Sequence, residues 1–405
     1  MGETFLRHFG SSFIVFLLGY GLYSLAINVP GPYLVIYFAQ AGVVLSVIAF
    51  SLSANRIIAL IANYPAGIFT DRYGRIKSFS IGATIMGLAF ITLSWLPTTL
   101  TVLLYSALSG LGVAFIRGSL EAWLVDAFSE GGKPPMKEIS TAKAIGTIAN
   151  AASGVVASMP TCSLPYNYLF LISGLLLFSS ITPLLTLKDN YSAKSSARVI
   201  FSSLNLLRRR AFLTLISYTA CSWAGIYFLM IFWPLILVHN GLRGDLIGVT
   251  YTALLGSMAV GSAIARRASG IVKCLRGLSL ISLCIAIIFG FLASYRGLIY
   301  ALALLAAFEV ALGAYTVLLA YVRNAIIPSE ARASAISLMS TFNSVATAVL
   351  TPLMAKLGVE EALKTYAVLT VTSSILPFII LRSKRISFIN LQINESSSPR
   401  RMNKP

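Results

Sequence analysis

Four charged side chains fall deep inside apolar runs of this chain: Arg56, Arg117, Glu121 and Glu309. An ion moved from water into hydrocarbon is costly, so each needs a partner or a task. Arg56 shares a helical face with Ser53 and Asn63, which makes a polar stripe. It lies about 20 Å of helix from the outer end of its run. Arg56 is either a contact for an anionic solute or a structural cation paired across helices. Arg117 and Glu121 stand one turn apart, where helical side chains meet. Arg117 could hold a carboxylate or phosphate while Glu121 takes a proton; the plainer reading is a self-neutralised pair. Asp126 projects about 180° around the same helix from Arg117, so it is set apart from that pair. Glu309 belongs to a stripe of small residues, Ala306, Gly313 and Thr316. A carboxyl group at that depth can bind and release a proton or hold a cation; a hydrogen-bonded structural acid is the alternative.

Neutral polar residues repeat the theme. Asn28 precedes Pro30 and Pro32, where the first run should bend. Asn150 shares a face with Gly146 and Ser153, and Asn343 with Ser340 and Thr347. Trp223 and Tyr227 are one turn apart. Each of these serves either packing or ligand contact. Trp95 and Trp233 sit near run ends and are expected as interface anchors.

The elements that must carry these residues follow from composition. The chain has 405 residues, 57% of them hydrophobic and 11% charged. Soluble domains carry about 25% charged residues, so a water-soluble globule is excluded. Twelve apolar runs long enough to cross a bilayer lie between residues 10 and 383. A polar stretch, 188–209, ends in Arg208, Arg209 and Arg210 and divides the spans into two sixes. The expected units are 1–187, a central loop 188–209, a second half 210–383 and a tail 384–405 whose composition predicts disorder.

The net charge of +18 does not imply nucleic acid, because the cations occupy alternate loops. One side holds only Arg243, Arg296, Lys356 and Lys364; Arg56 and Arg117 are inside spans, and all other cations lie on the opposite side. That asymmetry places both termini and the central loop in the cytoplasm of a multi-pass protein of the cell membrane. The four cysteines, Cys162, Cys221, Cys274 and Cys284, show no metal-ligand or disulfide spacing. No cofactor or metal is expected. No His-Glu-x-x-His, Gly-x-Ser-x-Gly or Gly-x-x-x-x-Gly-Lys set occurs, so an enzyme is not expected either.

Between the second and third runs lies Gly67-Ile-Phe-Thr-Asp71-Arg72-Tyr-Gly74-Arg75-Ile-Lys77, read as a short charged turn. Gly67, Asp71, Arg72, Gly74 and Arg75 resemble the signature loop of the major facilitator superfamily of secondary transporters. A weaker copy follows the eighth run, where Gly261, Arg266, Arg267 and Gly270 remain without the Asp.

The resemblance implies two six-helix, pseudo-symmetric bundles around a central cavity, working by rocker-switch alternating access. On that plan Asp71, Arg72, Arg75 and Asp126 should hold the cytoplasmic side closed; Asp126 either pairs with Arg72 or Arg75 as a latch or is a solvated carboxylate at a helix end. Arg56, Arg117 and Glu309 should line or adjoin the cavity. The expected partners are a small solute, anionic or zwitterionic, a coupling proton and the lipid bilayer, for a monomer. The fourth run lacks the Arg-x-x-Gln-Gly-x-Gly of proton-driven drug exporters, since Ser106 and Ser109 stand at its Arg and Gln positions. The sugar-porter Pro-Glu-Ser-Pro-Arg is missing as well. Drug efflux is the rival within transport, and a sensor that binds without carrying is the rival class.

Overall fold

The computed structural model describes residues 10–95, 97–129, 135–161, 164–189, 210–268, 270–327 and 332–381. The tail 384–405, all but the first two residues of the central loop's expected 188–209 up to Arg209, and Cys162 lie outside the described residues. Among the described residues, 11 helices are long and apolar enough to cross a membrane. A further helix, Met136–Thr161, has 26 residues but is more polar, with Lys143, Asn150 and several Ser and Thr.

In order, the first span is Ser11–Asn28, a 3-10 turn Gly31–Tyr33 and Leu34–Gln40. The second is Leu45–Tyr73, the third Arg75–Trp95, and the fourth Thr99–Ile116 followed by Ser119–Phe128. Met136–Thr161 is the fifth and Asn167–Leu184 the sixth. The second half runs Arg210–His239, Ile247–Ala265, Ile271–Ser294, Leu298–Ile326 and Arg332–Ala355, then Val359–Ser373 with Leu376–Leu381 as the twelfth. Helices are the form in which each backbone group finds its partner inside its own segment, as hydrocarbon demands. Hydroxyls enter these spans by bonding back one turn, as Thr70 does to the Ala66 carbonyl and Thr84 to that of Ser80.

The packing repeats between the halves. The second span packs on the fourth, as the eighth does on the tenth. The third packs on the fourth and sixth, as the ninth does on the tenth and twelfth. The first packs on the fifth and sixth, as the seventh does on the eleventh and twelfth. Two seams then join the halves, second to eleventh and fifth to eighth, and these exchange under the same correspondence. Large apolar side chains such as Leu18, Ile61, Leu175, Leu280 and Val368 are left exposed, which suits a surface solvated by lipid.

Three local expectations change. The charged turn shrinks to one residue: the second span stays helical to Tyr73 and the third starts at Arg75. Gly74 makes the corner with φ 114°, a conformation open to glycine. The Asp189 carboxylate then caps the new helix, accepting from the Ile76 and Lys77 amides at 2.9 and 3.1 Å. The fourth span is not continuous: Arg117 leaves the helical region and Gly118 adopts φ 78°. Trp233 is buried, stacked on Tyr251, and so is no interface anchor; Trp95 is 82% exposed.

Candidate functional site

A cavity of about 400 Å³ lies between the halves. The second span contributes Arg56; the seventh contributes Thr219 and Trp223; the tenth contributes Tyr315, Thr316 and Arg323; the eleventh contributes Met339, Ser340 and Asn343. The cavity runs from the level of Arg56 toward the cation-rich ends of these spans, where Arg323 stands in the last turn of its helix.

Arg56 reaches across from the first half. Its guanidinium carbon lies 3.6 Å from the centre of the Tyr227 ring, a cation–π contact. Trp223, one turn earlier on the seventh span, faces the same cavity. Arg56 and Asn343, chosen separately in the sequence, are thus brought together. Arg323 was missed there, because it looked like one more cation of a cytoplasmic loop. A signal existed: Glu309, Thr316 and Arg323 are spaced by two helical turns.

The other candidates are placed elsewhere. The Arg117–Glu121 pairing does not form, because the break at Arg117 and Gly118 destroys the one-turn spacing. Glu121 instead meets Lys143 of the fifth span at 3.3 Å, and Arg117 is exposed. Asn28 donates to the Ser24 carbonyl of its own helix at 2.7 Å, which satisfies it locally. Glu309 is half-buried and does not line the cavity. It lies close enough to Tyr251 of the eighth span to interact electrostatically. The Tyr251 hydroxyl donates to Asn150 Oδ1 of the fifth span at 3.0 Å. Asn150 therefore belongs to a seam between the halves.

That seam is tight toward the cation-poor end. The Gly248 amide donates to the Tyr33 hydroxyl and the Val249 amide to Ser158 Oγ, each at 3.0 Å. Thr252 Oγ1 donates to the Ala151 carbonyl at 2.8 Å. Gly154 and Gly248 meet backbone to backbone, and a Cβ on either would overlap the other's carbonyl oxygen.

At the cation-rich end, Arg75 and Asp126 form an ion pair of 2.6 Å between the third and fourth spans. Arg72 is exposed beside the Tyr73 ring. Asp71 is half-exposed with no ion pair among the described residues, and a Cβ on Gly67 would meet nothing within 4 Å.

Two matched sets of membrane-crossing helices, with a cavity where they meet at Arg56, define a multi-pass membrane protein built by internal repetition. The Major Facilitator Superfamily model matches residues 16–351, and the chain belongs to that superfamily of transporters. Solved structures agree on the fold. The nucleoside transporter NupG superposes with a TM-score of 0.72 at 14% identity, covering 92% of this chain and 98% of that one. A POT family transporter in complex with 5-aminolevulinic acid gives 0.70 at 13%, covering 93% and 96%. A D-xylose–proton symporter gives 0.68 at 15%, covering 90% and 96%. A comparison with curated protein sequences finds no match.

Proposed function

We propose that this chain is a secondary transporter that carries a small polar solute across the cell membrane by alternating access. The observation that carries this reading is the cavity at Arg56: it lies where the two packed halves meet, and among the described residues hydrogen bonds tie those halves together toward the cation-poor end. By the positive-inside rule the cation-rich end is cytoplasmic, so this is an inward-open state. The moving bodies are residues 1–187 and 210–383, tied by the 188–209 loop, and the tail 384–405 is cytoplasmic. The working unit is a monomer.

Arg56 and Asn343 contact the solute. The Arg75–Asp126 pair braces the turn, and Asp71 and Arg72 close against the second half when the cavity faces out. Gly67 leaves room for that approach. Arg117 and Glu121 line the inner vestibule, and Glu309 carries the coupling proton. The named neighbours are a nucleoside transporter, a proton symporter for D-xylose and a transporter holding 5-aminolevulinic acid, which supports a polar cargo.

A thermal-shift screen of the purified protein against metabolites at two pH values should find a stabilising solute. Proteoliposomes should then take it up. A ligand that binds and is never carried would establish the sensor reading instead. Glu309→Gln should abolish the pH dependence of uptake, and pH dependence retained in that variant would remove Glu309 from coupling.

A further inference from the structure

We propose that the solute is an organic anion with an apolar body, held by two guanidinium groups, Arg56 and Arg323. This rests on the transporter reading for its biological meaning and on the cavity alone for its chemistry.

Both arginines line the same cavity, one from each half. Neither forms an ion pair among the described residues. The Arg56 charge is met by the Tyr227 ring. Arg323 Nε is buried without a hydrogen-bond partner, and so is Asn343 Oδ1 in the same cavity. Buried polar groups are nearly always paired, so the open Nε of Arg323 and Oδ1 of Asn343 point to a ligand that would complete them. A carboxylate or phosphate is the planar or multi-oxygen partner that a guanidinium fork accepts.

The cavity also separates an anion from a zwitterion. A zwitterion brings an ammonium group, which needs an acid. No carboxylate lines the cavity among the described residues. Other acids are placed elsewhere: Glu121 pairs with Lys143 and Asp126 with Arg75, and Glu309 does not line the cavity. The rest of the wall suits an apolar ring carrying one donor. Trp223, Leu319 and Met339 supply the apolar surface, and Asn343 Oδ1 supplies an acceptor.

Three probes share one phenol and differ in charge: phloretate is an anion, tyrosine a zwitterion and tyramine a cation. Thermal shift and calorimetry on the purified full-length protein should show phloretate stabilising in a concentration-dependent way. Tyrosine should bind more weakly, and tyramine should not bind. Arg56→Gln and Arg323→Gln should each weaken phloretate by about tenfold or more, the scale of a lost charged hydrogen bond. Arg243→Gln, in an exposed pair with Asp245 outside the cavity, should leave it unchanged. Arg323→Lys, which keeps the charge but not the fork, should recover part of the loss. Equal binding of tyramine or tyrosine, no binding of any probe, or full affinity in Arg323→Gln would each overturn the proposal.

Counterflow in proteoliposomes keeps the two readings apart. Charge-selective binding without flux upholds the anion site and sinks transport. Flux of some other solute that is indifferent to Arg323→Gln upholds transport and sinks the anion site.

Discussion

At the cation-poor end, the fifth and eighth spans touch backbone to backbone at Gly154 and Gly248. Hydrogen bonds from the eighth span cross that seam to Tyr33, Ser158, Asn150 and Ala151. At the cation-rich end, Gly67 faces open space, Asp71 has no ion pair among the described residues, and the cavity holding Arg56 and Arg323 runs toward that end. The two ends are made of different material. One seam uses glycines and neutral hydrogen bonds, which need close contact and tolerate little shift. The other is lined with charges, which act over longer distances and bind water when apart. Such a molecule can shut one end by fit and the other by attraction. Neither contact set needs more than a few kcal/mol to bias a two-state equilibrium.

The sharpest way to break the comparison is to spoil the fitted end. Gly154→Val places a branched side chain against the Gly248 carbonyl, a backbone atom that cannot rotate aside. The seam should fail to close, and flux in proteoliposomes should fall by about tenfold or more, the equivalent of at least about 1.4 kcal/mol. Gly290→Ala, where a Cβ meets nothing within 4 Å, should pass unchanged. Near-normal flux in Gly154→Val would mean that the seam takes no part in the cycle.

At the charged end the expected effect is smaller. Asp71→Asn removes one charge and keeps the shape, so flux should drop by roughly five- to tenfold, at the low end of the usual range of a coupling energy. The variant should still reach the membrane. Alkylation of a Gly67→Cys variant gives a second readout. Solute that drives closure should protect the thiol, and Asp71→Asn should weaken that protection. Normal flux together with full protection would refute the latch.

How much of this was legible beforehand differs between the same two ends. The charged end could be read from the chain, because charge placement obeys the membrane and survives without coordinates. Arg75 and Asp126 are the example, expected as one of two possible pairs and found together. The Gly74 corner was visible as a glycine, but not its length, since nothing local says that Asp189, more than a hundred residues later, caps the next helix. The fitted end was nearly silent. Gly154 and Gly248 look like ordinary small residues until two helices are brought together. Within the site, Arg56 and Asn343 were found by helical periodicity, which assumes an unbroken helix. That assumption failed at Gly118, and the Arg117–Glu121 pair failed with it. Arg323 was hidden because loop cations and cavity cations are the same residue type, and only the neighbours tell them apart.

The finest test joins the seam to the coupling acid. Tyr251 donates a hydrogen bond to Asn150 Oδ1 at 3.0 Å and lies close enough to Glu309 to interact electrostatically. Tyr251→Phe removes that bond and little else, which should cost the closed seam about 1 kcal/mol. Three other bonds of the seam remain, so the shift should be about fivefold in the closed-to-open ratio at that end. Spin labels across the cleft between Ser46 and Leu353, in a cysteine-free background, would read it as a larger population of long distances. The sign of the pH effect follows from the same geometry. A negative charge on Glu309 near Tyr251 holds the phenol proton more tightly and makes the hydroxyl a weaker donor to Asn150, so raising the pH should favour the open seam. Both Tyr251→Phe and Glu309→Gln should flatten that response, the first by removing the donor and the second by removing the charge. A pH response that survives in Tyr251→Phe but not in Glu309→Gln would keep the acid as the proton site while taking the tyrosine out of the path between proton and seam.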